Sequence, residues 1–68
     1  LENYEIKNHG VKLYELIAPH INEEKKTISG YGYEVIHAYI KAIPVSEQMN
    51  ALMDLAKILE SKGVFNDQ

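Results

Sequence analysis

The segment from Pro44 to Gly63, PVSEQMNALMDLAKILESKG, constrains the fold more than any other part of the chain. Ser46 is a good helix N-cap, and Glu47 in the turn after it suits the positive end of a helix dipole. Met49, Leu52, Met53, Leu55, Ala56, Ile58 and Leu59 then recur at helical spacing. Lys62 falls in the last turn, and Gly63 fits the left-handed residue that ends many helices, with Val64 folding back on the final turn. The spacing predicts a helix over 46–62. At 100° per residue Glu47, Asn50, Asp54, Lys57 and Ser61 share one narrow sector, and apolar residues take most of the remainder. Leu52 and Leu59 stand near the centre of that arc, with Leu55 and Ile58 toward the flank opposite Met53. A helix so broadly apolar is either central to its own domain or covered on a second side by a partner.

Only a short chain is present to cover it. Sixty-eight residues make a single domain, 1–68, and a domain of that size buries only about 60% of the surface its unfolded form exposes. Small scaffolds compensate with disulfides, a metal, oligomerisation or very regular helix packing. Cysteine is absent, which removes disulfides, Cys-ligated zinc, iron–sulfur clusters and thiol catalysis together. Close packing and self-association remain. With 46% of residues apolar, a homodimer is the expected state. A cysteine-free chain also fits a reducing compartment, so the cytoplasm is the expected location. No run approaches the roughly 18 apolar residues of a membrane span. The opening LENYEIKNHG is polar and mixed in charge, unlike a signal peptide. The chain begins at Leu1 rather than Met, so a domain excised from a longer protein stays open as an alternative.

Two further helices are expected. In TISGYGYEVIHAYIKAIP the polar residues Glu34, His37 and Lys41 fall on one stripe, while Val35, Ile36, Tyr39, Ile40 and Ile43 cover the rest. A helix from about 32 to 43 follows, capped by Ser29 or Thr27 and ended by Ile43-Pro44. In the first third, Val11, Leu13, Tyr14, Leu16, Ile17 and Ala18 form a short helix capped by Asn8 and stopped by Pro19; the alternative is two strands, YEIK and VKLY, around NHG. Leu16, Ile17 and Ala18 break strict alternation and favour the helix. Asn22, Glu23 and Glu24 look like another N-cap with an acidic first turn, opening a turn or two through Thr27. The fold class expected is all-α, a compact bundle of three or four short helices completed by dimerisation, with α+β carrying an N-terminal hairpin as the alternative.

Sites of chemistry are scarce. His9, His20 and His37 show no HxH, HxxxH or HExxH spacing, so they are expected as ordinary surface or interfacial histidines and not as metal ligands. Glu34 and His37 form one Glu-x-x-His unit where di-iron bundles need two. Ser29, Ser46 and Ser61 are explained by helix ends or polar stripes, and none lies in a G-x-S-x-G elbow. No catalytic residue, metal or cofactor is expected, and the protein is not expected to be an enzyme.

Net charge is −3, and all seven basic residues are lysines. Without arginine the chain lacks the planar fork that reads guanine edges and clamps phosphates, which argues against nucleic acid as a partner. A helix-turn-helix register built on Gly30 or Gly32 fails, because Lys26 or Lys41 then occupies a position that should be small or apolar. The function expected is a non-enzymatic protein-binding module, a small regulator or inhibitor acting as a homodimer; a DNA-binding regulator of helix-turn-helix type is the alternative. Residues expected at the partner surface are Tyr31 and Tyr33 in the SGYGY motif, and Met49, Met53, Leu55 and Ile58 on the last helix.

Overall fold

The computed structural model describes residues 8–64. Three helices are joined by one small antiparallel hairpin: α1 (His9–Ile17), a 3-10 turn (Ala18–His20), β1 (Ile21–Asn22), β2 (Thr27–Ile28), α2 (Gly30–Ala42) and α3 (Val45–Ser61). The helical reading of the first third therefore holds over the described residues, while Tyr4–Lys7 of the alternative hairpin lie outside them. Asn8 stands at the N-cap of α1, although its side chain makes no capping bond.

The all-α expectation had no hairpin, and the α+β alternative placed one in the first third; the structure has it at Ile21–Ile28. Residues 22–27 form no helix: a single turn, closed by Lys26 N–H donating to Asn22 O at 2.7 Å, is the loop of a hairpin. Ile21 pairs with Ile28 and Asn22 with Thr27, and the ladder extends where the Ser29 N–H donates to the His20 carbonyl at 3.0 Å. Asn22 still receives backbone donors, as an N-cap would. Its Oδ1 accepts from the N–H of Glu24 (3.0 Å) and of Lys25 (2.8 Å), an Asx turn that closes a loop instead of opening a helix. Lys26 then takes φ 59°, a left-handed conformation uncommon outside glycine and asparagine.

α2 begins two residues earlier than expected. Ser29 caps it, its Oγ accepting from Gly32 N–H at 3.2 Å. The position of Gly32 has a packing cause. A Cβ there would lie 2.5 Å from Ile28 Cγ2 and 3.2 Å from His20 Cβ, so the bare backbone lets the hairpin close onto the helix. Gly10 plays the same part between helices, since a Cβ on it would stand 2.5 Å from Asp54 Cβ.

α3 ends as its sequence indicates. Gly63 has φ 80°, its N–H donates to Glu60 O (3.1 Å), and Val64 N–H donates to Leu59 O (2.9 Å). These two bonds make a Schellman motif, with Leu59 and Val64 in one apolar cluster.

The core is Leu13 and Ile17 of α1, Ile28 of the hairpin, Leu55 and Leu59 of α3, and Val64. Tyr14, Ile21, Val35, Ile36, Tyr39 and Ile40 pack around it. α1 lies mainly on α3, over the line of Ala51, Leu55 and Leu59, all buried. That placement corrects one expectation. Leu52 is not at the centre of the buried arc; it is 41% exposed, because α1 sits to one side of it.

Candidate functional site

With Ala51, Leu55 and Leu59 turned inward, α3 carries a second apolar stripe that is exposed among the described residues. Val45 is 82% exposed, Met49 67%, Met53 50% and Leu52 41%, and Ala56 is exposed among them. At 100° per residue these five span about 100° of the helix, next to the core stripe and before the polar sector of Ser46, Lys57, Asn50, Ser61 and Asp54. The helix thus has three faces: one in the core, one polar and one apolar in water. No charged residue lies on the apolar face until Glu60, beyond Ala56.

The structure separates the residues singled out in the sequence. Met49 and Met53 lie together on the exposed stripe. Leu55, 3% exposed, belongs to the core and offers a partner no surface. Ile58 is half-buried at the core's edge. Tyr31 and Tyr33 are 63% and 49% exposed, but two residues apart on a helix they point about 160° away from one another, so SGYGY presents no paired aromatic surface. Tyr31 instead meets the edge of the His20 ring, centroids 4.8 Å apart.

A second arrangement has no counterpart in the sequence reading. His9, at the first position of α1, places Nδ1 2.8 Å from the Tyr39 hydroxyl of α2 and Nε2 2.6 Å from Glu47 Oε1 of α3. Its side chain is 14% exposed and that of Glu47 28%. The partners fix the tautomer. A carboxylate only accepts, so Nε2 carries the hydrogen in the neutral ring and Nδ1 accepts from the tyrosine hydroxyl. His9 is therefore neither a surface residue nor an isolated one: it binds all three helices at one point. The signal was present in the register, because His9, Leu13 and Ile17 stand at steps of four on the face that α1 buries.

Phenol, imidazole and carboxylate in line could in principle pass a proton. The group joins elements 30 and 38 residues apart in sequence. Among the described residues no group of three or more His, Cys, Asp or Glu is placed to hold a metal ion, and no helix is long and apolar enough to cross a membrane. Comparison with protein-family models, curated proteins and solved structures finds no match.

Proposed function

We propose that this chain is a non-enzymatic protein-interaction module that self-associates through the exposed stripe of α3, acting as a small cytoplasmic regulator or inhibitor. One observation carries the reading. Val45, Met49, Leu52 and Met53 form a continuous apolar band on the longest helix, although the same helix already supplies the core with another face. Isolated exposed apolar residues are ordinary, whereas a contiguous band rimmed by polar residues marks an interaction surface. The two methionines suit it, being unbranched and adaptable to the shape of a partner.

Sedimentation equilibrium tests the reading against a monomer mass of 7.8 kDa. The wild type should approach twice that mass by about 100 µM. Met53→Asp should stay monomeric with an unchanged far-UV spectrum, since it places a charge in the proposed apolar contact at a position that is 50% exposed in the monomer. A wild type that stays monomeric throughout, or a variant that dimerises as before, refutes the proposed surface. Random duplex DNA, added at low salt, should not be shifted; a salt-sensitive shift would favour the DNA-binding alternative.

A further inference from the structure

Val45, Met49, Leu52 and Ala56 stand at steps of four, three and four along α3, the a and d spacing of a two-helix seam. The series reads the same from either end. A two-fold axis crossing α3 between Asn50 and Ala51 therefore sets Val45 of one copy opposite Ala56 of the other, and Met49 opposite Leu52.

We propose that the occupant of this stripe is a second copy of the chain, its α3 antiparallel to the first about that axis; the proposal rests on the self-association put forward above. Size and charge both select this orientation. In the antiparallel pair each end layer sets a valine against an alanine, so both ends fill equally. A parallel, in-register pair would stack Ala56 on Ala56 and leave the seam loose at one end. Glu60 follows Ala56 on the same face and is exposed. Antiparallel pairing brings its carboxylate to the N-terminal end of the other α3, where the helix dipole favours a negative charge. Parallel pairing brings Glu60 to Glu60 and aligns the dipoles.

The exposed side chains offer on the order of 400 Å² per copy, about half of what each partner contributes to a standard stable complex. The dimer is thus weak and concentration-dependent, and each copy keeps its own core without the other.

The chain has no cysteine, so engineered thiols report orientation without background. Val45→Cys and Ala56→Cys are made as separate proteins, both at exposed positions, checked for wild-type helical signal, mixed and mildly oxidised. Their masses differ, so all three disulfide pairs are resolved. In the antiparallel dimer positions 45 and 56 of opposite copies face each other, whereas the two 45 positions are about 16 Å apart along the axis, beyond disulfide reach. The mixed pair should exceed either like pair at least ten-fold, and adding Met53→Asp to both proteins should abolish the excess. Dominant like pairs, or no excess of the mixed pair while the wild type sediments as a dimer, overturn the antiparallel seam alone. A wild type that sediments as a monomer overturns the seam and the self-association reading together.

Discussion

Replacing Gly10 by alanine sets two effects of opposite sign against each other. Gly10 is the second residue of α1. Helix propensity alone says that alanine should stabilise this position, by up to about 1 kcal/mol. The packing says otherwise. The added Cβ would stand 2.5 Å from Asp54 Cβ and 3.0 Å from both the Asp54 carbonyl carbon and the Leu55 nitrogen. Non-bonded carbons prefer about 3.5–4.0 Å, so α1 must back away from α3 by roughly 1 Å. Two of these three neighbours are backbone, and no rotamer change relieves them. Leu13 and Ile17, fully buried against the same helix pair, would move outward with α1. A gap of 0.5–1 Å costs about a quarter to a half of the dispersion attraction across it. The overpacking cost is about 1–3 kcal/mol, larger than the propensity gain, so the net change is destabilising. Thermal unfolding followed at 222 nm should show a fall of about 4–8 °C for each kcal/mol lost. Gly30→Ala is the control, since nothing lies within 4 Å of its Cβ, and it should be neutral or stabilise by about 0.4–1 kcal/mol. A Gly10→Ala protein as stable as Gly30→Ala would refute the close approach of α1 to α3.

Leu55→Ala should cost about 2–5 kcal/mol by opening a cavity in the core, most of the stability that so small a domain holds; Leu52→Ala, at a site 41% exposed, should cost less than about 1 kcal/mol in urea titrations at dilute, monomeric concentration. Reversal of that order would mean that the core face of α3 is wrongly assigned. His9→Ala should cost about 1–3 kcal/mol, because it leaves Tyr39 and Glu47 without their shared partner. In the wild type, nitrogen NMR of the neutral ring should show the hydrogen on Nε2, and a hydrogen on Nδ1 would contradict the proposed bond directions.

The parts legible in the sequence were those fixed by local chemistry. α3 could be read closely at its C-terminal end, because Gly63 and Val64 are stop signals that act within a turn; at its start Ser46, expected as the N-cap, is the second helical residue, and Pro44 stands at the N-cap with no capping side chain. α2 was legible in its body but not at its start, since two glycines in a first turn look like a loop until Gly32 is seen against Ile28. The hairpin was hidden for a definite reason. Its strands are two residues long, too short to alternate, and its loop places a lysine where glycine or asparagine would have announced the turn. Which apolar arc of α3 faces inward was also beyond reach. The helix is apolar on two faces, and only the position of α1 decides between Leu55 and Leu52. For the His9 cluster, the register with Leu13 and Ile17 shows the face that the histidine shares, but its partners 30 and 38 residues away are encoded by no local pattern.

The packing of α1 on α3 also sets the order in which the protein can come into being. α1 has nine residues, shorter than the roughly 12–15 at which even favourable isolated helices begin to hold in water. Its buried partners, Leu55, Leu59 and Val64, are the last core residues to be synthesised. While a ribosome makes the intervening residues, at about 5–20 per second, Leu13 and Ile17 can close only against the hairpin and α2 side of the core, Ile28 and the residues around it. The helix that is made first is therefore a late element of the fold. Its main contact, with α3, can close only after residue 64 has emerged, and until then the α3-facing side of its apolar stripe is the surface that a nascent chain most needs shielded.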